Sequence, residues 1–151
     1  MIHLRDYQAG DFDALHRLDQ LCFDPNIAYS RAELDHFINR PTAMTIVAND
    51  TAVEGDPLVG FLIVDHERPR SGHVITIDVL EAYRRAGVGT ELMHEAERRT
   101  LATGRRAMLL EVAVGNHPAR HFYERHGYVE LRRLADYYKR GGDAMLMGKN
   151  L

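Results

Sequence analysis

Apolar and polar positions repeat with two different periods along this chain, and the two periods predict strands and helices. Phe12, Leu15, Leu18, Leu21 and Cys22 recur at the spacing of an amphipathic helix. Short apolar runs rich in β-branched residues predict strands instead. Seven stretches have that strand pattern: 2–7, 43–49, 57–67, 74–80, 107–114, 128–134 and 144–149. Four stretches have the helical pattern: 12–22, 30–39, 90–102 and 116–124.

The order of these elements predicts the fold class. Strand, two helices, three strands, helix, strand, helix and a final hairpin is typical of an α/β (α+β) protein. We expect a mixed central sheet of about seven strands flanked on both faces by about four helices. A chain of 151 residues with 45% hydrophobic and 27% charged residues is the size and composition of one globular unit, so residues 1–151 are expected to form a single domain.

Charge and cysteine content narrow the function classes. A net charge of −3 gives no reason to expect a nucleic-acid surface. A single cysteine, Cys22, excludes an intramolecular disulfide, and its place on the apolar helix face favours core packing. The sequence contains no apolar run of membrane-spanning length and no recognisable signal peptide. We therefore expect a cytoplasmic protein without a membrane partner, either a monomer or a weak homodimer.

The stretch from the fourth strand into the third helix carries the strongest chemical signal. Between them lies Arg84-Arg85-Ala86-Gly87-Val88-Gly89, whose glycines allow a tight turn with exposed N–H groups. The helix that follows adds its unpaired N–H groups and the positive end of its dipole, with two arginines alongside. Such a loop suits a pyrophosphate. It lacks the Gly-Lys-Ser/Thr of a P-loop and the three glycines of the dinucleotide fingerprint.

Together with later motifs, this loop resembles one family. Tyr83 to Gly89 resembles the acetyl-CoA pyrophosphate loop of GNAT N-acetyltransferases. Leu110-Glu111-Val112, followed by Asn116, Phe122-Tyr123 and His126-Gly127-Tyr128, resembles the second cofactor block of that superfamily. Asp136-Tyr137-Tyr138-Lys139 with 142–147 resembles the C-terminal hairpin of N-terminal protein acetyltransferases of the RimI type.

The resemblance implies acetyl transfer from acetyl-CoA to an amine by direct attack in a ternary complex, with acetyl-CoA as cosubstrate and no metal. The residues that it assigns to acetyl-CoA are Ile77, Val79, Arg84, Arg85, Ala86, Gly87, Val88, Gly89, Thr90, Asn116 and Tyr123. From the residues alone, Asn116 is equally a helix N-cap.

Three residues are candidates for catalysis by the same resemblance. Glu111 corresponds to the strand acid used as, or near, the general base, although strand alternation also allows it to face solvent. His73 opens the fourth strand as a second candidate base, because imidazole accepts protons near neutral pH, or as an exposed histidine. Tyr123 corresponds to the general acid that protonates the leaving sulfur, or it packs the short helix. Cys22 lacks a neighbouring histidine in the sequence, so a thiol relay has no support.

The acceptor side of the site is assigned more broadly. Phe23, Tyr29, Tyr137 and Tyr138 are expected to border a peptide N-terminus, although tyrosine pairs are also common in plain β-packing. Asp78 is a further acid near the cleft, or it faces a sheet edge. His117 and His121 lie four residues apart, but no acidic third ligand accompanies them, so exposed helix histidines are the better interpretation.

The acceptor amine is predicted on energetic grounds. With a pKa of about 7.7 to 8.0 for an α-amine and about 10.4 for lysine, deprotonation at pH 7 costs roughly 1 kcal/mol in the first case and roughly 4 to 5 kcal/mol in the second. This favours the N-terminal α-amine of a protein, with a ribosomal protein as the substrate that the family implies. Two alternatives remain open: acetylation of a small-molecule amine or a protein lysine, and a non-catalytic acetyl-CoA sensor.

Overall fold

Seven strands form one mixed sheet in the computed structural model, which describes residues 1–138, 140 and 142–151. The strands are β1 (Ile2–Asp6), β2 (Ala43–Asp50), β3 (Leu58–Asp65), β4 (Ser71–Val79), β5 (Ala107–Ala113), β6 (Val129–Tyr138) and β7 (Gly142–Asn150). Their order in the sheet is β1-β2-β3-β4-β5-β7-β6. Only the β4–β5 pair is parallel among the described pairings, because α3 crosses over between these two strands. The predicted fold class is confirmed.

Helices cover both faces of the sheet. They are α1 (Phe12–Cys22), α2 (Arg31–Ile38), α3 (Val88–Ala102) and α4 (His117–Arg125). On one face, Leu15, Leu18 and Leu34 of α1 and α2 pack on Phe61 and Ile63 of β3. On the other face, the buried residues of α3 and α4 pack on the sheet in a larger core: Val88, Leu92, Met93, Ala96 and Tyr123. None of the helices in the described part of the chain is long and apolar enough to span a membrane.

Two strand boundaries differ from the sequence prediction by three residues or more. β4 begins at Ser71 rather than at residue 74, because its first four residues pair in parallel with β5. Gly72 is therefore a packing residue and not part of a turn: a Cβ there would lie 2.9 Å from the side chains of Met108 and Thr100. β6 extends to Tyr138, four residues beyond its predicted end. Lys139 and Gly141, which the sequence placed in the hairpin, lie outside the described residues.

A β-bulge in β4 determines which side chains reach each face. Ile63 of β3 pairs with Thr76, but the next residue, Val64, pairs with Val74, so Ile75 is an extra residue without a cross-strand partner. Both Ile75 and Thr76 consequently lie on the face covered by α1 and α2, whereas Ile77 packs in the larger core. The alternation of β4 is thus reversed after residue 75.

Candidate active site

The site is built around a gap between β4 and β5. The two strands pair only from Ser71 with Ala107 to Val74 with Leu110, and beyond that point the described residues show no pairing between them. On the side facing β5, the second half of β4 therefore has backbone groups that are not paired with a neighbouring strand. Ile77 and Val79, both assigned to acetyl-CoA by resemblance, lie on this edge, and their side chains pack against the larger core. An extended ligand can reach backbone groups here that a central strand normally hides.

The loop after β4 turns sharply into α3. Arg85 and Gly87 both have left-handed backbone conformations, with φ of 68° and 84°, and Gly87 is the N-cap of α3. The first N–H groups of any α-helix have no intrahelical acceptor, so those of Val88, Gly89 and Thr90 are available to an anion. The Ala86 N–H donates to the Tyr83 carbonyl at 3.3 Å and closes the preceding turn.

The two glycines of this loop do different things. Gly87 provides the positive φ, and a Cβ there would meet nothing within 4 Å. Gly89 is helical, but a Cβ would lie 3.1 Å from the ring of Phe122 on α4. Gly89 is therefore needed for the close packing of α3 on α4, which brings the two cofactor motifs of the sequence together.

Two side chains predicted to contact the cofactor are engaged within the protein. Arg84 donates from Nε to the Val79 carbonyl at 3.1 Å, which fastens the loop to the end of β4. The Thr90 hydroxyl lies 3.0 Å from Nε2 of His126. The backbone N–H of Thr90, at the first turn of α3, remains the group that suits a phosphate.

Asn116 and Tyr123 are both positioned by α4. The Asn116 side chain accepts a hydrogen bond from the Ala119 N–H at 3.2 Å, so it is the N-cap of this helix. Tyr123 is buried in the larger core, with its ring 6.0 Å from that of Tyr128. Burial, with smaller effects from Asp78 and Tyr138, raises the pKa of Tyr123 above the ordinary value of a phenol. The hydroxyl therefore keeps its proton at neutral pH, as a proton donor requires.

His73 and Glu111 form a direct pair across the start of the gap. His73 Nε2 lies 2.6 Å from Glu111 Oε1, with side-chain exposures of 27% and 14%. Leu110 and Val112 on either side of Glu111 point into the larger core, so Glu111 points to the face of α1 and α2. Neither side chain is an isolated surface group. The structure joins the two candidate bases, which the sequence could only name separately.

Tyrosines surround this pair on the same face. Burial raises the pKa of Tyr138 to about 12, with Glu111 contributing, and the same two causes raise that of Tyr137. The two rings meet edge to face at 4.9 Å. An irregular end of β6 places them, since Asp143 accepts hydrogen bonds from the Asp136 N–H and from Arg133.

The α1–α2 connection supplies the other side of the cleft. Phe23 directly follows α1 and is half-buried. The Tyr29 hydroxyl donates to the Ile75 carbonyl at 3.4 Å, so it reaches the bulge of β4. Burial is the main cause that raises the pKa of Tyr29.

Asp78 is a correction to the sequence analysis. It was expected either near the acceptor cleft or at a sheet edge, but only 1% of it is exposed, and Thr76 donates to it at 2.6 Å. Because the bulge reverses the alternation of β4, Asp78 points toward α1 and meets Asp19, which is fully buried. It lies behind the cleft wall and has no surface to offer a substrate.

Sequence reasoning missed Asp19, although a signal was present. Asp19 lies four residues after Leu15 and three before Cys22, so it falls on the buried stripe of α1. Leu21, which the sequence analysis placed on that stripe, is 68% exposed. Cys22 is partly buried as expected, and burial raises the pKa of its thiol to about 11.

No metal centre is evident in the described ranges. Residues 1–138, 140 and 142–151 contain no group of three or more His, Cys, Asp or Glu side chains arranged to hold a metal ion. His117 and His121 both lie on α4, and neither belongs to such a group.

Known proteins are similar to this chain in sequence and in fold. A sequence profile of the Acetyltransferase (GNAT) family matches residues 12–128. An N-alpha-acetyltransferase of Saccharolobus solfataricus is 32% identical over 156 aligned positions, which cover 98% of this chain and 92% of that protein. Two solved structures, each 20% identical, have the same fold. The ribosomal-protein-S18-alanine N-acetyltransferase from Escherichia coli has a TM-score of 0.85 and covers 99% of this chain and 94% of its own. Arabidopsis thaliana NAA60 in complex with acetyl-CoA has a TM-score of 0.88 and covers 100% and 99%.

The site of this chain combines a gap between β4 and β5, a glycine loop at the N-terminus of α3, and the His73–Glu111 pair at the start of the gap. The chain belongs to the acetyltransferase (GNAT) family. It is accordingly an N-acetyltransferase by class, as the resemblance of its two cofactor motifs predicted.

Proposed function

We propose that this protein transfers the acetyl group of acetyl-CoA to the N-terminal α-amine of a protein by direct attack while both substrates are bound. The observation that carries the proposal is the 2.6 Å contact between His73 Nε2 and Glu111 Oε1 at the mouth of the β4–β5 gap. A proton acceptor is thereby placed where an amine entering past the tyrosines would reach the strand edge.

The residues of the loop fit acetyl-CoA, which supplies an activated thioester. A left-handed Gly87 leads into a helix whose first N–H groups are free of intrahelical acceptors, and Arg85 adds positive charge beside them. These are the donors that a pyrophosphate needs. Asn116 holds α4 in place through its N-cap bond, so its support for the cofactor is indirect.

The His73–Glu111 pair is the proposed general base. With Glu111 ionised, Nε2 of His73 is the donor in their hydrogen bond, which leaves Nδ1 as a proton acceptor. Glu111 stabilises the imidazolium that forms when His73 takes a proton from the amine, directly or through water. Both residues thus act as one unit in a single proton transfer.

Tyr123 is the proposed proton donor to the leaving sulfur. Burial raises its pKa, so the hydroxyl is fully protonated at the pH where the amine must be neutral. The phenol donates a hydrogen bond to the sulfur as the C–S bond breaks and so stabilises the developing thiolate, whose ordinary thiol pKa is about 8.5.

Among the candidate acceptors, an α-amine costs this base less free energy to deprotonate than a lysine does. Deprotonating it at pH 7 costs roughly 1 kcal/mol, against roughly 4 to 5 kcal/mol for lysine. The named activity of the Saccharolobus solfataricus relative is consistent with that choice. A ribosomal-protein N-terminus is the first natural acceptor to try, because the Tyr137–Tyr138 hairpin resembles that of RimI-type enzymes.

The test is CoA release with mass analysis of the product. The panel pairs peptides that have free N-termini and no lysine with N-blocked peptides of the same sequence that contain one lysine. Polyamines and aminoglycosides complete it. We expect modification of free N-termini only, with a ribosomal-protein N-terminal peptide among the substrates.

Each other pattern contradicts the proposal in a specific way. Modification of N-blocked peptides at lysine would assign a lysine acetyltransferase. Turnover of small amines alone would assign a small-molecule enzyme. Binding of acetyl-CoA, measured by calorimetry, without turnover of any amine would assign a sensor.

A further inference from the structure

Two buried carboxyl groups face each other between α1 and β4, and each has one oxygen that is not hydrogen-bonded. Asp19 Oδ2 accepts the Tyr29 N–H at 2.7 Å, and Asp78 Oδ1 accepts the Thr76 hydroxyl at 2.6 Å. Across the described residues, Asp19 Oδ1 and Asp78 Oδ2 are buried and have no donor. The two carboxyl groups lie within hydrogen-bond reach of one another.

Two ionised carboxylates cannot remain stable in this arrangement. Unpaired buried charge is costly, and like charges in contact raise the cost further. One proton placed between the two groups satisfies both unpaired oxygens and removes one charge. We propose that Asp19 and Asp78 share a single proton, and that this acid–carboxylate bond holds the Tyr29 wall of the acceptor cleft against β4.

The bond acts on the cleft through Tyr29. Its backbone N–H is held by Asp19, and its hydroxyl is held by the Ile75 carbonyl at the bulge. Asp78 is on the same strand as Ile75, so the shared proton joins α1, the Tyr29 segment and β4 into one unit. Asp19 and Asp78 are positioning residues, because neither has exposed surface to meet the acceptor.

The charged and titratable groups around the pair are a thiol, two phenols and a guanidinium. They come from α1, the α1–α2 connection, the loop after β4, and α4: Cys22, Tyr29, Arg84 and Tyr123. Burial raises the pKa of the Cys22 thiol to about 11 and also raises those of the two phenols, so all three stay neutral. Arg84 faces the one negative charge that the pair retains.

The direction of the pH effect follows from the proton. Burial and the neighbouring Asp19 raise the pKa of Asp78 well above its ordinary value. The folded protein therefore binds a proton that the unfolded chain has already lost above about pH 4. The pair's contribution to stability is complete below that pH and is lost as the pH rises through the raised, folded-state pKa.

The first experiment observes the proton in the wild-type protein. Carbon-13 spectra of protein labelled at the aspartate carboxyl carbon are recorded across a pH titration. We expect one coupled carboxyl signal to remain in its protonated position far above the ordinary titration range near pH 4. The signal should be absent from both Asp78→Asn and Asp19→Asn. If every aspartate of the wild type titrates in the ordinary range, the proposal is wrong.

The second experiment measures folding. The amide of Asp78→Asn donates to Asp19 at every pH, so it imitates the protonated acid without titrating. Relative to this variant, the wild-type folding equilibrium constant should fall by up to tenfold per pH unit above about pH 4 until the folded pKa is passed. Asp13→Asn, an exposed change on the same helix, is the matched control and should keep the wild-type pH dependence. Parallel curves for wild type and Asp78→Asn would overturn the shared proton.

The third experiment measures positioning, and this part alone rests on the proposed function. The wild-type acceptor KM, divided by that of Asp78→Asn, should rise severalfold across the pH range in which the carbon-13 spectra show the shared proton to be lost, while the corresponding kcat ratio stays flat. The acceptor amine titrates equally with both enzymes and cancels. A flat KM ratio, with the proton seen in the spectra, would overturn the positioning role. Absence of turnover would count against the proposed function. The spectra and the folding measurement would still decide whether Asp19 and Asp78 share a proton.

Discussion

Glu111 and Asp78 are both acids on neighbouring inner strands, and the structure gives them opposite surroundings. Glu111 has an imidazole partner and keeps contact with the open cleft, whereas Asp78 is buried against a second carboxyl group. The first is a hydrogen-bonded pair suited to moving a proton during each turnover. The second is suited to keeping one. The partner and the access to solvent decide the role, because the two side chains differ by only one methylene.

One backbone irregularity produces this contrast. If residues 73–78 alternated regularly, with no bulge at Ile75, Asp78 would point to the face opposite His73, into the apolar core of α3 and α4. The bulge brings both residues to the face of α1 and α2, but at different depths. His73 lies at the mouth of the gap, and Asp78 lies under the helix. A bulge in a central strand can thus place two polar side chains on the same face of the sheet with different solvent exposure.

The largest effect is expected for Glu111→Gln. The amide cannot stabilise a protonated His73, so kcat should fall about 100- to 1,000-fold, the usual contribution of a general base. The measurement is the rate of CoA release with a saturating free-N-terminal peptide. The double variant with His73→Ala should lose little more than the single variant, because the pair acts as a unit. A multiplicative loss would show that the two residues act independently.

For Asp78→Ala we expect the opposite of Glu111→Gln, a loss of stability that is larger than the loss of kcat. Removing this carboxyl leaves Asp19 buried with an unsatisfied oxygen, which should lower the free energy of unfolding by about 2 to 3 kcal/mol. Denaturant unfolding at pH 7 checks this value, and Glu111→Gln, whose amide oxygen can still accept from His73, should change it by about 1 kcal/mol or less. If Asp78→Ala unfolds like the wild type and loses kcat instead, the contrast between the two acids is wrong.

These two acids also show what the sequence can and cannot predict. Periodicity and loop motifs predicted the element order, the sheet and the family, because apolar faces and glycine turns are local signals. Glu111 and His73 were predicted separately, but their contact depends on the parallel register of β4 and β5, which no local pattern contains. The burial of Asp78 depends on the bulge opposite Ile63 and Val64. The sequence of residues 74–79 contains no pattern that predicts this bulge.

A smaller effect is expected for Tyr123→Phe. A thiolate is a stable leaving group, with an ordinary thiol pKa of about 8.5, so losing its proton donor should lower kcat only about tenfold. The remaining rate can be compared for acyl donors whose leaving thiols have different pKa values. The dependence of kcat on that pKa should be steeper for the variant, because the departing sulfur then leaves as the anion. An equal slope would show that Tyr123 only packs α4.

The smallest effect is expected for Cys22→Ala, on the helix turn beside Asp19 and next to Val79, whose carbonyl the thiol reaches at 3.5 Å. Burial raises the pKa of this thiol to about 11, so at pH 7.5 only a minute fraction is thiolate and it cannot serve as a nucleophile. We expect kcat to stay within about twofold of the wild type and alkylation of Cys22 to be slow unless the protein is unfolded. The matched readout is mass analysis after incubation with acetyl-CoA alone, where no acetyl group should be found on the protein thiol. Acetylation of Cys22, with loss of activity in Cys22→Ala, would show that the acetyl group passes through the thiol near Asp78. Direct attack assisted by Glu111 would then be wrong.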